Sequence, residues 1–314
     1  MSSVHPLGLH HVTAIASDPQ RNLDFYHHVL GLRLIKQTVN FDAPEVYHLY
    51  YGNEAGSPGT AMTFFPWPGA RAGAVGAGQV VLTQYAVPPG ALPFWTARLP
   101  ALGGRLVAEE TIFGERRAVF TDPDGLPFAL VETDDPRTPW TTADVGSEVA
   151  IRGFRGVTLG LRDGSGAHRV LTEVFGYAPA GETALGGGRL ERLRVAGNPA
   201  DIVDLHIDPA MPAGRGGAGT VHHVAFSVPD RAAQTVVRAR MADVGLQVTE
   251  AIDRDYFWAI YARIPGGVLF EVATDEPGFT RDEPLATLGE SLRIPAQHAH
   301  LRARIEAALP PLEG

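Results

Sequence analysis

The chain has 314 residues, a formal charge of −9, 45% hydrophobic and 19% charged residues, and no cysteine. This composition argues against wholesale disorder and against a general phosphate-backbone binder, and it excludes disulfides, thiolate metal sites, iron–sulfur clusters and a cysteine nucleophile. The length suggests about two domains, no run reaches the ~20 apolar residues of a membrane span, and residues 1–6 lack the basic and apolar parts of a leader, so a soluble cytoplasmic protein is expected.

In chain order, β-branched and aromatic content predicts a strand over 9–15. A helix over 19–30 follows, starting after Asp18 as N-cap with Pro19 in its first turn. Strands are predicted over 46–51, 61–65 and 80–85, then a helix over 92–102 and strands over 117–121, 128–132 and 156–161. The second half reads as helix 168–175, strand 221–228, helix 231–244, strands 257–264 and 268–273, and a last helix over 297–309 before Pro310. The 36 Gly and 25 Pro suit many short strands joined by turns.

One pattern recurs four times: an opening strand, a helix ending near Leu/Phe/Val-Gly, then further strands with a Pro/Gly turn before the last. His11, Gln79, Gly156 and His223 are taken as equivalent positions in the openings. The helix ends are Leu30-Gly31, Leu102-Gly103, Phe175-Gly176 and Val244-Gly245. The reading is α+β: four βαβββ modules at about 8–66, 77–134, 153–208 and 219–275. A single module cannot bury its sheet face alone, so pairs are expected to close into half-barrel domains. Along the chain these fall as 7–134 and 153–275, with 276–314 as a C-terminal extension.

Two His-His pairs occupy matching places in modules one and four. Strand alternation puts Leu9, His11, Thr13 and Ile15 on one face, and Val221, His223 and Ala225 on one face. A one-residue slip would present His10 and His222 instead, and periodicity alone does not choose. Glu271 lies in an otherwise apolar strand, where a buried carboxylate needs a metal or a cation. The Pro/Gly turns align Thr63 and Ala129 with Glu271, so the carboxylate is expected in module four only. Two imidazoles and one carboxylate can take one face of an octahedral ion and leave three positions for water, substrate and dioxygen. That set suits Fe(II) best, then Mn(II), with zinc also accepted.

Other groups carry weaker signals. His48 sits among aromatics and is a candidate pocket residue, whereas His27, His28, His298 and His300 read as surface. Asp204 and His206 alternate as ligands do, but module three lacks an opening His. In the 253–261 segment, Tyr261 and Arg254 are placed either in a half-buried hairpin or beside the metal, where a phenol and a guanidinium orient an ionised phenolic oxygen. The glycines of 186–188 and 214–219 read as loops, and no Gly-x-Ser-x-Gly elbow or phosphate-binding Gly-Lys loop is present.

The motifs Leu9-His10-His11-Val12-Thr13, Tyr47-His48-Leu49-Tyr50-Tyr51-Gly52, Gly56-Ser57-Pro58-Gly59-Thr60, Val221-His222-His223-Val224-Ala225 and Leu269-Phe270-Glu271 together resemble the vicinal-oxygen-chelate superfamily. That superfamily includes glyoxalase, bleomycin-resistance proteins and extradiol dioxygenases. Over about 7–275 the chain looks like its ring-cleaving dioxygenases that open hydroquinones. The resemblance implies His11, His223 and Glu271 as ligands of Fe(II), with Mn(II) using the same donors. It implies His10, His222, Tyr261, Arg254 and Thr13 as catalytic pocket residues, with His10 or His222 as acid or base. It also implies that module one pairs with four and two with three. The expected partners are a small aromatic substrate and O2, without nucleic acid or membrane; a homo-oligomer is left open, since no heptad or large apolar stripe marks an interface. A glyoxalase-like metal-dependent isomerase or lyase is the alternative, and it usually needs a fourth protein ligand. A metal-free binding module is a third reading, and such proteins are usually shorter.

Overall fold

A computed structural model describes residues 4–313 of the chain. Sixteen strands and five α-helices are described, arranged as four repeats. The first holds β1 (Leu9–Ala16), α1 (Pro19–Leu23), β2 (Arg33–Val39), β3 (Tyr47–Gly52) and β4 (Ala61–Pro66). The second holds β5 (Gln79–Val87), α2 (Leu92–Ala101), β6 (Arg105–Ile112), β7 (Glu115–Thr121) and β8 (Pro127–Glu132). The third holds β9 (Gly153–Leu161), α3 (Ser165–Arg169), β10 (Ala178–Leu185), β11 (Gly188–Arg194) and β12 (Ile202–Ile207). The fourth holds β13 (Thr220–Val228), α4 (Arg231–Asp243), β14 (Ile252–Asp253), β15 (Phe257–Arg263) and β16 (Leu269–Pro277). No described helix is long and apolar enough to cross a membrane.

The strands form two curled eight-stranded sheets, in the orders β14-β15-β16-β13-β1-β4-β3-β2 and β10-β11-β12-β9-β5-β8-β7-β6. The first therefore joins repeats one and four, and the second joins two and three. In each, antiparallel central strands (β1 with β13, β5 with β9) are flanked by parallel neighbours. The main apolar core, including Val12, Phe64, Tyr85, Phe128, Val224 and Phe226, packs between the helices and the sheets. A smaller cluster of Ile35, Tyr50, Ala225, Phe257 and Phe279 packs against the first sheet.

Helix α1 starts as the sequence predicts: the Asp18 side chain accepts the Arg21 amide, and Pro19 opens the first turn. It then widens into a π-turn over Asp24–Val29, closed by the Leu30 amide bonding the Phe25 carbonyl. Helix α3 widens in the same way over Val170–Val174. The expected helix over 297–309 is shorter: a tight 3-10 stretch, Ala296–Leu301, precedes α5 (Arg302–Ala308). Its first turn is held to the preceding chain, because Gln297 Nε2 and His298 Nε2 both bond the Phe41 carbonyl.

The C-terminal extension covers β2, an edge strand that would otherwise offer unpaired backbone groups. Leu292 bridges Gln37, and the Arg293 amide donates to the Gln37 carbonyl. Beneath it, Lys36 is fully buried, with its ammonium on Asp282 (2.7 Å) and Glu283 and over the Tyr256 ring at 4.7 Å.

Candidate metal centre

The two sheets share their register, including the irregularities. Between β1 and β13, His10 and His222 are each an extra, bulged residue. Between β5 and β9, Val81 and Arg155 are the bulged residues at the corresponding places. A bulge breaks strict alternation, so both members of each His-His pair reach the same neighbourhood. The registers equate His11, His223, Leu82 and Gly156, which corrects the assignment of Gln79: module two opens three residues later than its sequence suggests. They also equate Glu271, Thr63, Ala129 and Asp204. The carboxylate is thus kept in module three as well as four, contrary to the sequence expectation, because the third copy lacks the Pro/Gly turn used for alignment.

The two carboxylates have different company. Across from Glu271 stands Tyr261, and across from Asp204 stands Arg192. Arg192 pairs with Asp204 and Glu115 and lies 4.4 Å over Phe113; Gln84 also donates to Asp204. The second sheet's carboxylate is therefore satisfied by protein groups.

In the first sheet it is not. His11 Nε2 and His223 Nε2 lie 3.4 and 2.9 Å from Glu271 Oε2, and 3.4 Å from each other. Glu271 is fully buried, yet neither of its oxygens has a hydrogen-bond partner. One ligand atom from each residue lies within 4.8 Å of the others. Such an orphaned buried carboxylate is costly unless a cation joins it, and the donor set fits a divalent ion.

The remaining ring nitrogens are supported from behind. His11 Nδ1 meets His10 Nδ1 at 2.9 Å, and His223 Nδ1 meets His222 Nδ1 at 2.8 Å. Assigning the proton to His11 and His223 makes each donate to its neighbour and leaves both Nε2 lone pairs facing Glu271. Burial, with His11 beside it, pushes His10 down to about 3, which keeps it a neutral acceptor.

A cavity of about 600 Å³ opens from this cluster to the surface. Tyr261 and Arg254 line it, with Arg254 Nε 3.3 Å from the Tyr261 hydroxyl and its NH2 3.3 Å from Asp42. His222 lines it too and is exposed. Burial and the Glu271 charge raise Tyr261 and Tyr50 well above the ordinary phenol value, so both keep their protons. His10 and Thr13 do not line the cavity: His10 lies behind His11 against Phe257, and Thr13 bonds Thr63 at 2.7 Å. His48 does line it, with Nε2 on Thr63 (2.9 Å) and Nδ1 at the Tyr50 hydroxyl (2.9 Å). Sequence reasoning missed Tyr50, Phe257, Phe41 and Trp67 as wall residues. Tyr50 shares the face of His48 by alternation, a signal that was available; Phe41 lies on a loop without periodicity.

The sequence profile of the Glyoxalase/Bleomycin resistance protein/Dioxygenase superfamily matches residues 8–130. The chain is 46% identical to "Putative ring-cleaving dioxygenase MhqO" of Bacillus subtilis (strain 168), over 98% of this chain and 97% of that one. It is 36% identical to the chlorohydroquinone/hydroquinone 1,2-dioxygenase of Sphingobium indicum, over 92% of each. A crystal structure of a "putative dioxygenase" from Bacillus subtilis subsp. subtilis str. 168 superposes with a TM-score of 0.94 at 44% identity, covering 99% of each chain. The chain belongs to this superfamily and, within it, to the ring-cleaving dioxygenases.

Proposed function

We propose that this member of the superfamily is an Fe(II)-dependent dioxygenase that opens hydroquinone-type rings, with Mn(II) accepted by the same donors. The carrying observation is the buried Glu271 carboxylate, unpartnered among two converging imidazoles. The relative from Sphingobium indicum supports the hydroquinone class. His11, His223 and Glu271 would hold the metal, with His10 and His222 fixing their tautomers. A metal there supplies Lewis acidity towards a phenolic oxygen and an electron path between ring and O2.

The chain's own groups do the rest. His222, exposed at the cavity wall with its Nδ1 taken up by His223, presents its Nε2–H as a hydrogen-bond donor to the bound ring, and the phenol proton leaves through the cavity mouth to solvent. Tyr261 and Arg254 donate to the ionised oxygen and to charge that develops on the opening ring. Phe257, against both His10 and His11, excludes water from the inner end. Thr13 acts through Thr63 on His48, which positions the wall opposite.

The test is an oxygen-electrode assay of protein loaded anaerobically with Fe(II), given hydroquinone, methylhydroquinone, catechol or no phenol. Uptake is expected with the hydroquinones and is expected to vanish in His223→Ala and Glu271→Gln. Uptake that persists in both variants, or anaerobic turnover of the substrate, overturns the reading.

A further inference from the structure

The cavity is several times larger than one dihydroxybenzene ring, and its two ends differ in chemistry. Its inner end is polar and buried: His11, His223, Glu271, His48 and Tyr50 are all under a tenth exposed. Further out the wall carries Ile15, Phe65, Leu269 and Trp67, the last 38% exposed, together with the polar Asn40 and the exposed Asp42. The main chain at Trp67 is held there, since its backbone amide donates to the Ala16 carbonyl at 2.9 Å. A large indole left open to solvent beside a polar centre is a surface that gains by being covered. The one cationic side chain of arginine or lysine on the wall, Arg254, already faces Asp42 and the Tyr261 hydroxyl. With Arg254 engaged by Asp42, Tyr261 and the ionised ring oxygen, a carboxylate on the ring would find no second arginine or lysine, whereas an alkyl group would find four apolar side chains.

Resting on the ring-cleaving reading, we infer that the substrates are hydroquinones carrying an uncharged apolar substituent longer than a methyl group. The dihydroxy ring sits at the buried end, and the substituent lies outward against Ile15, Phe65 and Trp67.

The experiment compares hydroquinone, methyl-, propyl- and butylhydroquinone and 2,5-dihydroxybenzoate as substrates of the metal-loaded protein. The same compounds are titrated by calorimetry with oxygen excluded, which reads affinity without turnover. Each added methylene is expected to raise kcat/KM, and affinity, about fourfold through propyl. Trp67→Ala is expected to lower the butylhydroquinone-to-hydroquinone ratio about tenfold, and Phe65→Ala gives a second readout of the same wall. The inference is overturned if hydroquinone is consumed but kcat/KM stays flat or falls along the series, or if 2,5-dihydroxybenzoate is preferred. Absence of oxygen uptake with every compound overturns the ring-cleaving reading instead. In that case the calorimetric series still decides the inference, because a flat series refutes it and a rising one supports it.

Discussion

Arg192 grips both carboxylate oxygens of Asp204, at 2.8 and 2.9 Å, on the sheet that lacks the imidazoles. The equivalent carboxylates of the two sheets thus keep different company: a guanidinium in one, two imidazoles in the other. Arg192→Met should leave Asp204 buried without its cation and lower stability by about 3–5 kcal/mol. Combining it with Asp204→Leu should restore most of that loss. Urea unfolding measures both, and metal content should be unchanged in either variant. A variant that folds but loses metal would contradict the separation of the two sites.

Removing a ligand should be visible without any substrate. In oxygen-free Mn(II), the native protein should gain about 2.7 kcal/mol of stability at one hundred times the dissociation constant. His11→Ala, His223→Ala and Glu271→Gln should each abolish the gain. Thermal melts with and without the ion check this, and a shift retained in Glu271→Gln would rule out its carboxylate as a ligand.

The supporting imidazoles should matter less than the ligands. His10→Phe and His222→Phe should weaken metal affinity about 10–100-fold and leave stoichiometric binding at high metal concentration. Competition against a chelator measures the difference. Equal loss in His10→Phe and His11→Ala would place both on the ion.

Much of this site was legible in the sequence, because strand chemistry and recurrence expose it. His11, His223 and Glu271 stand out as polar groups where apolar ones are the rule. The bulges at His10 and His222 were not legible, because a period of two has no term for an inserted residue; Thr13 does alternate with His11, but its hydroxyl is spent on Thr63. Asp204 was weighed as a ligand and set aside because module three lacks an opening His; its pairing with Arg192 on another strand is invisible before register is known. Strand β6 was missed because its Leu106 and Val107 face solvent rather than core.

Lys36 should be the anchor of the C-terminal extension. Lys36→Met leaves Asp282 and Glu283 without their ammonium, and about 3–5 kcal/mol of stability should be lost. Limited proteolysis should then cut within residues 278–300 while the sheets stay intact. Resistance equal to the native protein would show that the apolar contacts of Phe279 hold the segment alone.

Stability should also depend on pH through Asp122. Burial raises its carboxyl from 3.8 to about 7, outweighing hydrogen bonds from the Leu126 and Asp124 amides and Tyr26. The folded state therefore holds this proton more tightly than the unfolded chain. Its contribution is full below about pH 4 and fades as pH rises through about 7. Asp122→Asn should flatten the decline between pH 5 and pH 8 in denaturant midpoints. An unchanged slope would assign the pH dependence to other groups.

The pairing of repeat one with repeat four sets a timetable for synthesis. His11 and His223 lie 212 residues apart, and β1 gains its central neighbour only when β13 leaves the ribosome. Until then the first repeat waits with an open edge, while repeats two and three can already close upon each other. The sheet with the His11, His223 and Glu271 cluster is therefore the last to be completed, and a chain interrupted before β13 would keep the ion-paired sheet and lack that cluster.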